Sequence, residues 1–317
     1  MAGPRFLSIS SNEIPAMSND KPRASIGLPV YNGERFLRET LDSLLAQTYS
    51  DFELVISDNA STDRTEAICR AYADKDRRVR CYRNKENLGA AFNYRRVFEL
   101  ATGTYFKWAT ADDLCEPEHV ARCAAVLDSD PSVVLACPKA RFIDEEGRAL
   151  DVHDPGWDLR SEAAHERLRY VLYAGHWVNA IYGLMRADAL SRTRLLAGYP
   201  GGDYRVLTEL ALLGKFVELP DYFFLRRLHS GASSQNRTLA WQLAFYTGSS
   251  RHLSMPMWQR TFDDFTTIMR SQLRQRAKLS VLGSLLERMR RNREALREEL
   301  KLASRRLIPA ISHQRNP

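Results

Sequence analysis

The first half of the sequence alternates short apolar runs with segments of helical spacing, and this alternation limits the fold more than any other feature. Residues Ala24 to Val30 are apolar and favour a β-strand. Leucines then recur at helical spacing, at positions 37, 41, 44 and 45, and a second apolar run covers Phe52 to Ile56. A strand, a helix and a strand in this order indicate the βαβ unit of a parallel sheet.

The same unit repeats further along the chain. Asp63 and Glu66 predict the start of a helix, Val79 to Tyr82 the next strand, and Ala91 to Leu100 another helix. A largely buried strand follows from about Tyr105. These repeats predict an α/β fold whose mostly parallel sheet is covered by helices on both faces.

In the second half the alternation is weaker. We predict a helix from about Glu162 to Ala174, an apolar segment over Ala180 to Met185, and a helix from about Tyr204 to Leu213. Strand-like runs over 216–219 and 222–225 follow. We expect this half to complete the sheet and to form the floor for a second substrate.

The cysteines and the N-terminus indicate the compartment. The five cysteines form no C-x-x-C pair and no Cys/His cluster at zinc spacing, so neither a disulfide framework nor a zinc site is expected. The first twenty residues lack the basic start and long apolar stretch of a secretory signal, and no apolar run reaches membrane-spanning length. These features predict a cytoplasmic protein.

Polar residues follow four successive predicted strands, where each strand ends. They are Tyr31-Asn32, Asp58-Asn59, Arg83-Asn84 and Asp112-Asp113. In an open α/β sheet, ligands bind outside the carboxyl ends of the strands, so all four pairs are expected to face one crevice. Taken singly, Asn32-Gly33 is typical of a simple turn, and the segment from Asp58 to Asp63 is typical of a helix cap.

Asp112-Asp113 is the most informative of these pairs. Adjacent carboxylates repel and are costly to bury, but a divalent cation or ligand hydroxyls can compensate their charge. The alternative is a helix cap before Glu116-Pro117-Glu118. We therefore expect a ligand site at this strand end.

Four segments together resemble an inverting glycosyltransferase of family 2 with the GT-A fold. They are "SIGLPVYNGERFLRETLDSLLAQTY", "ELVISDNASTDRT", "RNKENLGAAFNYRRVFELATGTYFKWATADD" and "GGDYRVLTELALLGKFVELPDYFFLRRLHSGAS", spread over residues 25–233. Each is a modest signal by itself. Their order and spacing make the resemblance specific.

The resemblance implies a binding site for a nucleotide-diphosphate sugar. Pro29, Tyr31 and Glu34 would border the nucleotide, and Asp58 would hydrogen-bond the base. The family's segment over the nucleotide and donor matches at Asn87, Gly89 and Asn93. A UDP-sugar is the favoured donor, with GDP- and dTDP-sugars as alternatives. The acceptor would be a glycan, a lipid-linked molecule or a small molecule.

The resemblance also implies a metal and a general base. Asp112 would face the ribose or the donor, and Asp113 would hold Mg²⁺ or Mn²⁺ at the diphosphate, with His229 as a further metal or diphosphate ligand. Asp203, at the start of a predicted helix, matches the position of the family's catalytic acidic residue. It would act as a base and take the proton of the acceptor hydroxyl. The alternatives are a helix cap for Asp203 and a structural histidine at 229. Arg226 and Arg227 could contact phosphate, although only one of them would point into the site.

Three departures from the family pattern matter. The Asp-x-Asp motif is interpreted as Ala111-Asp112-Asp113, so one carboxylate is missing and metal dependence is less strongly implied. Gly202 replaces the acidic residue often found before the catalytic Asp203. The Gln-x-x-Arg-Trp element and the membrane spans of processive synthases are absent, which favours transfer of one sugar per encounter.

With this resemblance, the chain divides into four predicted regions. Residues 1–22 are expected to be a flexible extension, and residues 23–143 the nucleotide-sugar-binding half. Residues 144–240 would form the acceptor-binding and catalytic half. Residues 241–317 would form a helical, basic C-terminal region.

The C-terminal region carries the basic excess of the chain. Lys and Arg outnumber Asp and Glu by 46 to 39, and residues 251–317 hold 15 basic and 6 acidic residues. From about Ser271 the sequence fits a heptad with Leu286, Met289, Leu296, Leu300, Ala303 and Leu307 on the seam, interrupted at Arg293. We favour helix packing or homo-oligomerisation, and the alternative is a helix lying on the inner face of an anionic membrane. Nucleic-acid binding is not expected, because the basic residues lack interleaved aromatics.

Two other classes of protein stay open at this point. A nucleotidyltransferase could use a similar sheet and acidic pair, but "LPVYNGERF" is poor in glycine for its phosphate loop. A non-catalytic scaffold assembled through the helical C-terminal region is the other alternative.

Overall fold

The structure is a computed structural model that describes residues 21–152, 154–174, 177–232, 238–248 and 255–307. Within them the strands are β1 (Ala24–Val30), β2 (Phe52–Asp58), β3 (Val79–Arg83), β4 (Tyr105–Trp108), β5 (Leu114–Cys115), β6 (Val133–Cys137), β7 (Ala140–Ile143), β8 (Ala149–Leu150), β9 (Leu184–Arg186), β10 (Lys215–Glu218) and β11 (Phe224–Arg227). The helices are α1 (Leu37–Leu45), α2 (Thr65–Ala73), α3 (Ala90–Glu99), α4 (His119–Ser129), α5 (Ala164–Tyr173), α6 (Ala187–Ser191), α7 (Asp203–Leu213), α8 (Leu239–Thr247), α9 (Pro256–Arg270), α10 (Gln275–Arg291) and α11 (Arg293–Leu307), with a 3₁₀ helix at Asn179–Tyr182.

Among the described residues, seven strands form a central sheet in the order β10-β6-β9-β4-β1-β2-β3. The pairs β1–β2, β2–β3, β1–β4 and β6–β10 are parallel, and β9 runs antiparallel to both of its neighbours. In the register, Val30 lies opposite Asp58, and Asp58 lies opposite Arg83. The first three strands therefore end at one edge of the sheet, as the sequence predicts.

Apolar side chains cover both faces of this sheet. One buried cluster joins β1 and β2 to α1, α2 and α4, and a second joins β4 and β6 to α3, α5 and α7. Adjacent residues of β4 enter opposite clusters, Tyr105 the first and Phe106 the second. This is the alternation of a strand that is buried on both sides, and it explains why aromatic side chains occur on both faces of β4.

A smaller sheet in the order β5-β11-β7-β8 lies next to the central one. β11 pairs antiparallel with β5, with Leu225 opposite Leu114, and parallel with β7. The antiparallel pairing places the residues before β5 beside the residues that end and follow β11. It is this pairing that brings Asp112-Asp113 to His229.

The predicted α/β class is confirmed, and its first-half elements match to within one or two residues at most ends. Helix α4 and strand β6 lie in a stretch for which no element was predicted. The strand predicted at 222–225 is displaced and covers Phe224–Arg227 instead. Strands from both sides of residue 143 enter the central sheet, and the four-region division stays a prediction.

The C-terminal helices pack on the body instead of forming a heptad seam. Val281 and Leu285 of α10 are buried against Leu168 and Leu172 of α5. Leu286, on the predicted seam, is 55% exposed. The helix break lies beside the predicted interruption at Arg293, since α10 ends at Arg291 and α11 begins at Arg293, but the seam residues do not share one buried face: Leu296 is buried whereas Leu300 is exposed. Packing of the C-terminal region is confirmed, whereas oligomerisation stays a prediction.

No helix that the structure describes combines the length and apolarity needed to cross a bilayer.

Candidate active site

A cleft of about 580 Å³ opens at the carboxyl ends of β1, β2 and β4. The predicted site residues that line it are Pro29, Tyr31, Asn87, Asn93, Asp112, Asp113 and His229. Four others, Glu34, Asp58, Gly89 and Asp203, do not line it. The structure therefore brings most of the predicted residues together, but several of their side chains are hydrogen-bonded to other protein groups.

Asp112 and His229 form the chemical centre of the cleft. His229 Nε2 lies 3.0 Å from Asp112 Oδ2, and the imidazole packs edge-on against the Phe36 ring at 4.9 Å. The Asp112 side chain keeps 30% of its surface exposed. The pair therefore presents a carboxylate and an imidazole side by side to a ligand in the cleft.

Asp113 faces the other way, into the protein. Its Oδ1 accepts a hydrogen bond from the Arg227 backbone N–H at 2.8 Å, and its Oδ2 accepts one from Thr110 Oγ1 at 2.6 Å. Burial and, second, the neighbouring Asp112 charge raise the pKa of Asp113 to about 7. With both oxygens engaged, Asp113 is not the carboxylate that the structure pairs with His229. Its assignment as a metal ligand stays a prediction.

The adjacent residues Arg226 and Arg227 make different contacts. The Arg227 guanidinium is buried and donates to the Asp112 carbonyl at 3.0 Å, to the Glu145 carbonyl at 2.8 Å and to Glu39 Oε2 at 2.7 Å. Arg226 lines the cleft, donates to Asn179 Oδ1 at 2.6 Å and lies over the Trp177 ring at 4.7 Å. Arg227 therefore fixes the loops, and Arg226 supplies positive charge to the cleft.

An asparagine network occupies the strand ends on the other side of the cleft. Asn59 Nδ2 donates to Asn87 Oδ1 at 2.8 Å, and Asn84 Nδ2 donates to Asn59 Oδ1 at 2.9 Å and to Asn93 Oδ1 at 3.2 Å. Asn93 Nδ2 in turn donates to the Ser57 carbonyl at 2.7 Å. These amides satisfy one another, so the side chains of Asn87 and Asn93 shape the cleft wall and are largely committed to it.

Glu34 and Asp58 hold neighbouring loops together. Glu34 Oε2 accepts from the Arg64 backbone N–H at 2.8 Å, which ties the loop after β1 to the loop after β2. Asp58 is 2% exposed, is ion-paired with Arg83 and accepts from the Ser61 N–H at 2.9 Å. Their predicted contacts with nucleotide and base stay predictions, and both side chains already have partners in the protein.

Asp203 lies at the first turn of α7, just behind the cleft. Its Oδ1 accepts a hydrogen bond from the Tyr204 N–H at 2.9 Å. Burial raises the pKa of Asp203, and the positive charges of Arg260 and Arg226 act against this shift. Arg226 and Tyr182, which both line the cleft, interact with Asp203 electrostatically. The Asp203 carboxylate, whose pKa is raised, therefore interacts electrostatically with two residues that line the cleft.

The sequence reasoning missed the aromatic wall that α8 contributes. Trp241 and Phe245 line the cleft, with ring centroids 5.3 Å apart and ring planes inclined by 13°. Their spacing of four residues on one helix was the available signal. Nothing local in the sequence indicates that α8 returns to cover the carboxyl ends of strands that lie more than a hundred residues earlier.

Asp112 and His229 are possible ligands of a cation that takes its other ligands from outside the protein. Among the described residues, no group of three or more His, Cys, Asp and Glu side chains is arranged to hold a metal ion. Asp112 and His229 offer one carboxylate oxygen and one imidazole nitrogen. Mg²⁺ in phosphate sites is commonly held by one or two carboxylates, substrate phosphates and water, and imidazole suits transition metals better than Mg²⁺. The two residues would therefore supply two ligands of such a cation, and its other ligands would come from phosphate and water.

Comparison with known proteins agrees with this architecture. The Glycosyl transferase family 2 model matches residues 25–185, a little more than half of the chain. A glycosyltransferase of Rickettsia typhi, itself uncharacterized, is 37% identical over 133 residues, which are 41% of this chain and 40% of that protein. One of Haemophilus influenzae is 23% identical over 218 residues, 67% of this chain and 68% of that protein.

Solved structures show the same fold. Residues 1–349 of Staphylococcus aureus TarS in complex with UDP-GlcNAc give a TM-score of 0.64 at 18% identity, covering 84% of this chain and 72% of that one. The Pyrobaculum calidifontis mannosyltransferase PcManGT in complex with GDP-Man and Mn²⁺ gives 0.55 at 18% identity, covering 92% and 77%. The predicted GT-A fold is confirmed.

The chain belongs to glycosyl transferase family 2. It spans about 40% of the length of the Rickettsia typhi relative.

Proposed function

We propose that the protein transfers a single sugar from a nucleoside-diphosphate sugar to an acceptor hydroxyl, with inversion at the anomeric carbon. The observation that carries this proposal is the Asp112–His229 pair, 3.0 Å apart in the cleft and on the same wall as Arg226. A donor diphosphate needs compensation of its negative charge, and these residues supply it.

A UDP-sugar is the proposed donor, with GDP- and dTDP-sugars as the alternatives to test. TarS binds UDP-GlcNAc and PcManGT binds GDP-Man, and both share this fold. Pro29 and Tyr31 border the end of the cleft formed by β1, where we propose that the nucleotide lies. The acceptor is a glycan, a lipid-linked molecule or a small molecule, and the cytoplasm is the proposed location.

We assign Mn²⁺ or Mg²⁺ to Asp112 and His229 and a supporting role to Asp113. When bound, the cation would neutralise charge that develops on the departing diphosphate. Asp113 stabilises the loop that carries Asp112, since it accepts hydrogen bonds from the Arg227 N–H and the Thr110 hydroxyl. Arg226 adds a fixed positive charge on the same side.

Asp203 is the proposed general base. Its carboxylate takes the proton of the acceptor hydroxyl while that oxygen attacks the anomeric carbon, and the bond from that carbon to the diphosphate oxygen breaks. One displacement from the face opposite the leaving group inverts the configuration. The raised pKa of Asp203 makes the carboxylate a stronger base than an exposed aspartate.

Thermal shift with UDP, GDP, dTDP and their sugars, with and without Mn²⁺ or Mg²⁺, tests the donor site. We expect one nucleotide to raise the melting temperature in a cation-dependent manner. Asp112→Asn should abolish the cation dependence at little cost to the melting temperature of the free protein. Asp113→Asn should lower that melting temperature and retain the cation dependence. The reverse result would restore the original assignment of Asp113 as the ligand, and no shift with any nucleotide would favour the scaffold.

Transfer kinetics test the base. Asp203→Asn should lower kcat by about 10²- to 10⁴-fold while donor affinity stays unchanged. Retention of the donor's anomeric configuration in the product, measured by NMR, would contradict a single displacement.

A further inference from the structure

The outer face of α9 is apolar, although it is turned towards solvent. Phe262, Phe265 and Met269 are 67%, 43% and 48% exposed, and their spacing of three and four residues aligns them along one side of the helix. Asp264 and Ile268 are buried on the opposite side. Three large apolar side chains in one exposed row are more than the scattered surface residues expected of a soluble protein.

The chain that continues from this row is basic. Arg270, Arg274 and Arg276 are exposed at the end of α9, in the turn and at the start of α10. Leu279, one turn further on, is 67% exposed. No acidic residue occurs between Asp264 and Glu287. We call residues 262–279 the α9 docking face; it combines exposed apolar side chains with uncompensated positive charge.

We propose that the α9 docking face binds the protein to an anionic membrane surface. Apolar side chains on one side of a helix partition into the boundary between headgroups and acyl chains, and flanking arginines are attracted to anionic headgroups. Lys278 Nζ donates to the Met269 carbonyl at 2.9 Å, which ties the start of α10 to the end of α9. The apolar row and the arginines are thereby held in one rigid unit.

The charges disfavour other occupants. In a twofold contact between two copies, this face would meet itself, and it has no exposed acidic side chain to neutralise the arginines of the other copy. A nucleic acid would satisfy the arginines but would leave the row from Phe262 to Met269 without an apolar partner. An anionic membrane satisfies both parts of the face.

The docking face lies one helix away from the proposed base. α9 packs on α7, where Thr208 Oγ1 donates to Asp264 Oδ1 at 3.2 Å and the Arg260 guanidinium lies 3.6 Å from the centre of the Tyr204 ring. Asp203 is the first residue of α7. Docking through α9 would therefore keep the start of α7 close to the membrane, although the inference does not depend on the transferase chemistry.

Sedimentation of the full chain with vesicles tests the proposal. Vesicles of phosphatidylcholine alone should bind little protein, and an equal mixture with phosphatidylglycerol should bind it in a salt-sensitive manner. Replacing Arg270, Arg274 and Arg276 by Gln should weaken binding by about fivefold for each arginine, or roughly 100-fold together. The double variant Phe262→Ser with Phe265→Ser should also weaken vesicle binding, and lowering the salt concentration should not restore it.

A matched control uses exposed residues of α11, outside the docking face. Arg293→Gln, Arg297→Gln and Leu300→Ser together should leave vesicle binding unchanged. Absence of binding to anionic vesicles, or equal loss in the control, would overturn the proposal. A dimer in solution that Phe262→Ser disrupts would assign the face to a second copy, and binding to RNA in place of vesicles would assign it to nucleic acid. Vesicle binding needs no sugar donor, so its outcome is independent of that of the transfer assays.

Discussion

Asp112 and Asp113 are adjacent in sequence but occupy different environments. Asp113 is 7% exposed and accepts two hydrogen bonds from the protein, whereas Asp112 faces the cleft beside His229. The cost of placing two carboxylates together is reduced because one of them is compensated inside the fold and the other can meet a ligand. A buried carboxylate and a cleft carboxylate thus coexist in one tight loop.

Arg260 should tune the proposed base. The Arg260 charge opposes the rise in the pKa of Asp203 that burial causes, so removing this charge should raise that pKa further. Because only the carboxylate form can accept a proton, activity falls as pH drops through this pKa. Arg260→Leu should therefore move the acidic limb of the kcat profile to higher pH, which steady-state kinetics over a pH series would reveal.

Arg260→Lys is the matched control for this effect. Lysine keeps the positive charge but loses the stacking of the guanidinium on Tyr204. Its acidic limb should stay near that of the wild type. If the acidic limb of the kcat profile does not move in Arg260→Leu, either the Arg260 charge does not affect the pKa of Asp203 or Asp203 is not the group that titrates.

At the scale of elements, Gly89 decides how closely α8 approaches the cleft. Gly89 has φ +82°, and a Cβ there would lie 2.5 Å from the backbone N of Gly248, directly after α8. Gly89→Ala should destabilise the protein by about 1 to 3 kcal/mol and displace α8, which carries Trp241 and Phe245. We expect weaker nucleotide binding, measured by calorimetric titration, together with a lower melting temperature.

Gly147 provides the control for backbone strain. It has the same φ of +82°, but a Cβ at this position would meet nothing within 4 Å. Gly147→Ala should cost about 1 kcal/mol and leave nucleotide affinity unchanged. Equal affinities for the two variants would mean that α8 does not form part of the nucleotide site.

At the scale of the whole molecule, a buried ion pair joins the C-terminal helices. Arg288 of α10 lies 2.5 Å from Asp264 of α9, and both side chains are at least nine-tenths buried. Arg288→Met should lower the free energy of unfolding by about 3 kcal/mol, because Asp264 would lose its nearest charge partner and keep only Arg260, 4.0 Å away. Urea denaturation measures this loss.

The double variant Asp264→Leu with Arg288→Met separates pairing from packing. It should recover much of the stability lost in Arg288→Met, since it removes the unpaired charge together with its partner. If the double variant is no more stable than Arg288→Met, packing of the arginine stem is the larger contribution.

Much of the fold is predictable because its signals are local. The apolar run from Ala24 to Val30 predicts β1, and the helical spacing of the leucines predicts α1. The polar residues at the strand ends predict the edge of the sheet at which the cleft lies. The run at 222–225 was placed two residues early, because a four-residue strand carries too little pattern to define its ends. The C-terminal heptad indicated the interruption at Arg293, but its spacing did not show that Leu286 and Leu300 lie outside the buried face.

The sequence by itself determined the βαβ order, the edge of the sheet at which the cleft lies and most of the polar residues that line it, because helix and strand periods depend on near neighbours. Only the tertiary structure decided that Asp112, and not Asp113, meets His229. That contact spans 117 residues and depends on the antiparallel pairing of β5 with β11. The Arg227 N–H that binds Asp113 and the His229 ring beside Asp112 both come from more than a hundred residues away, and only the Thr110 hydroxyl lies in the local sequence.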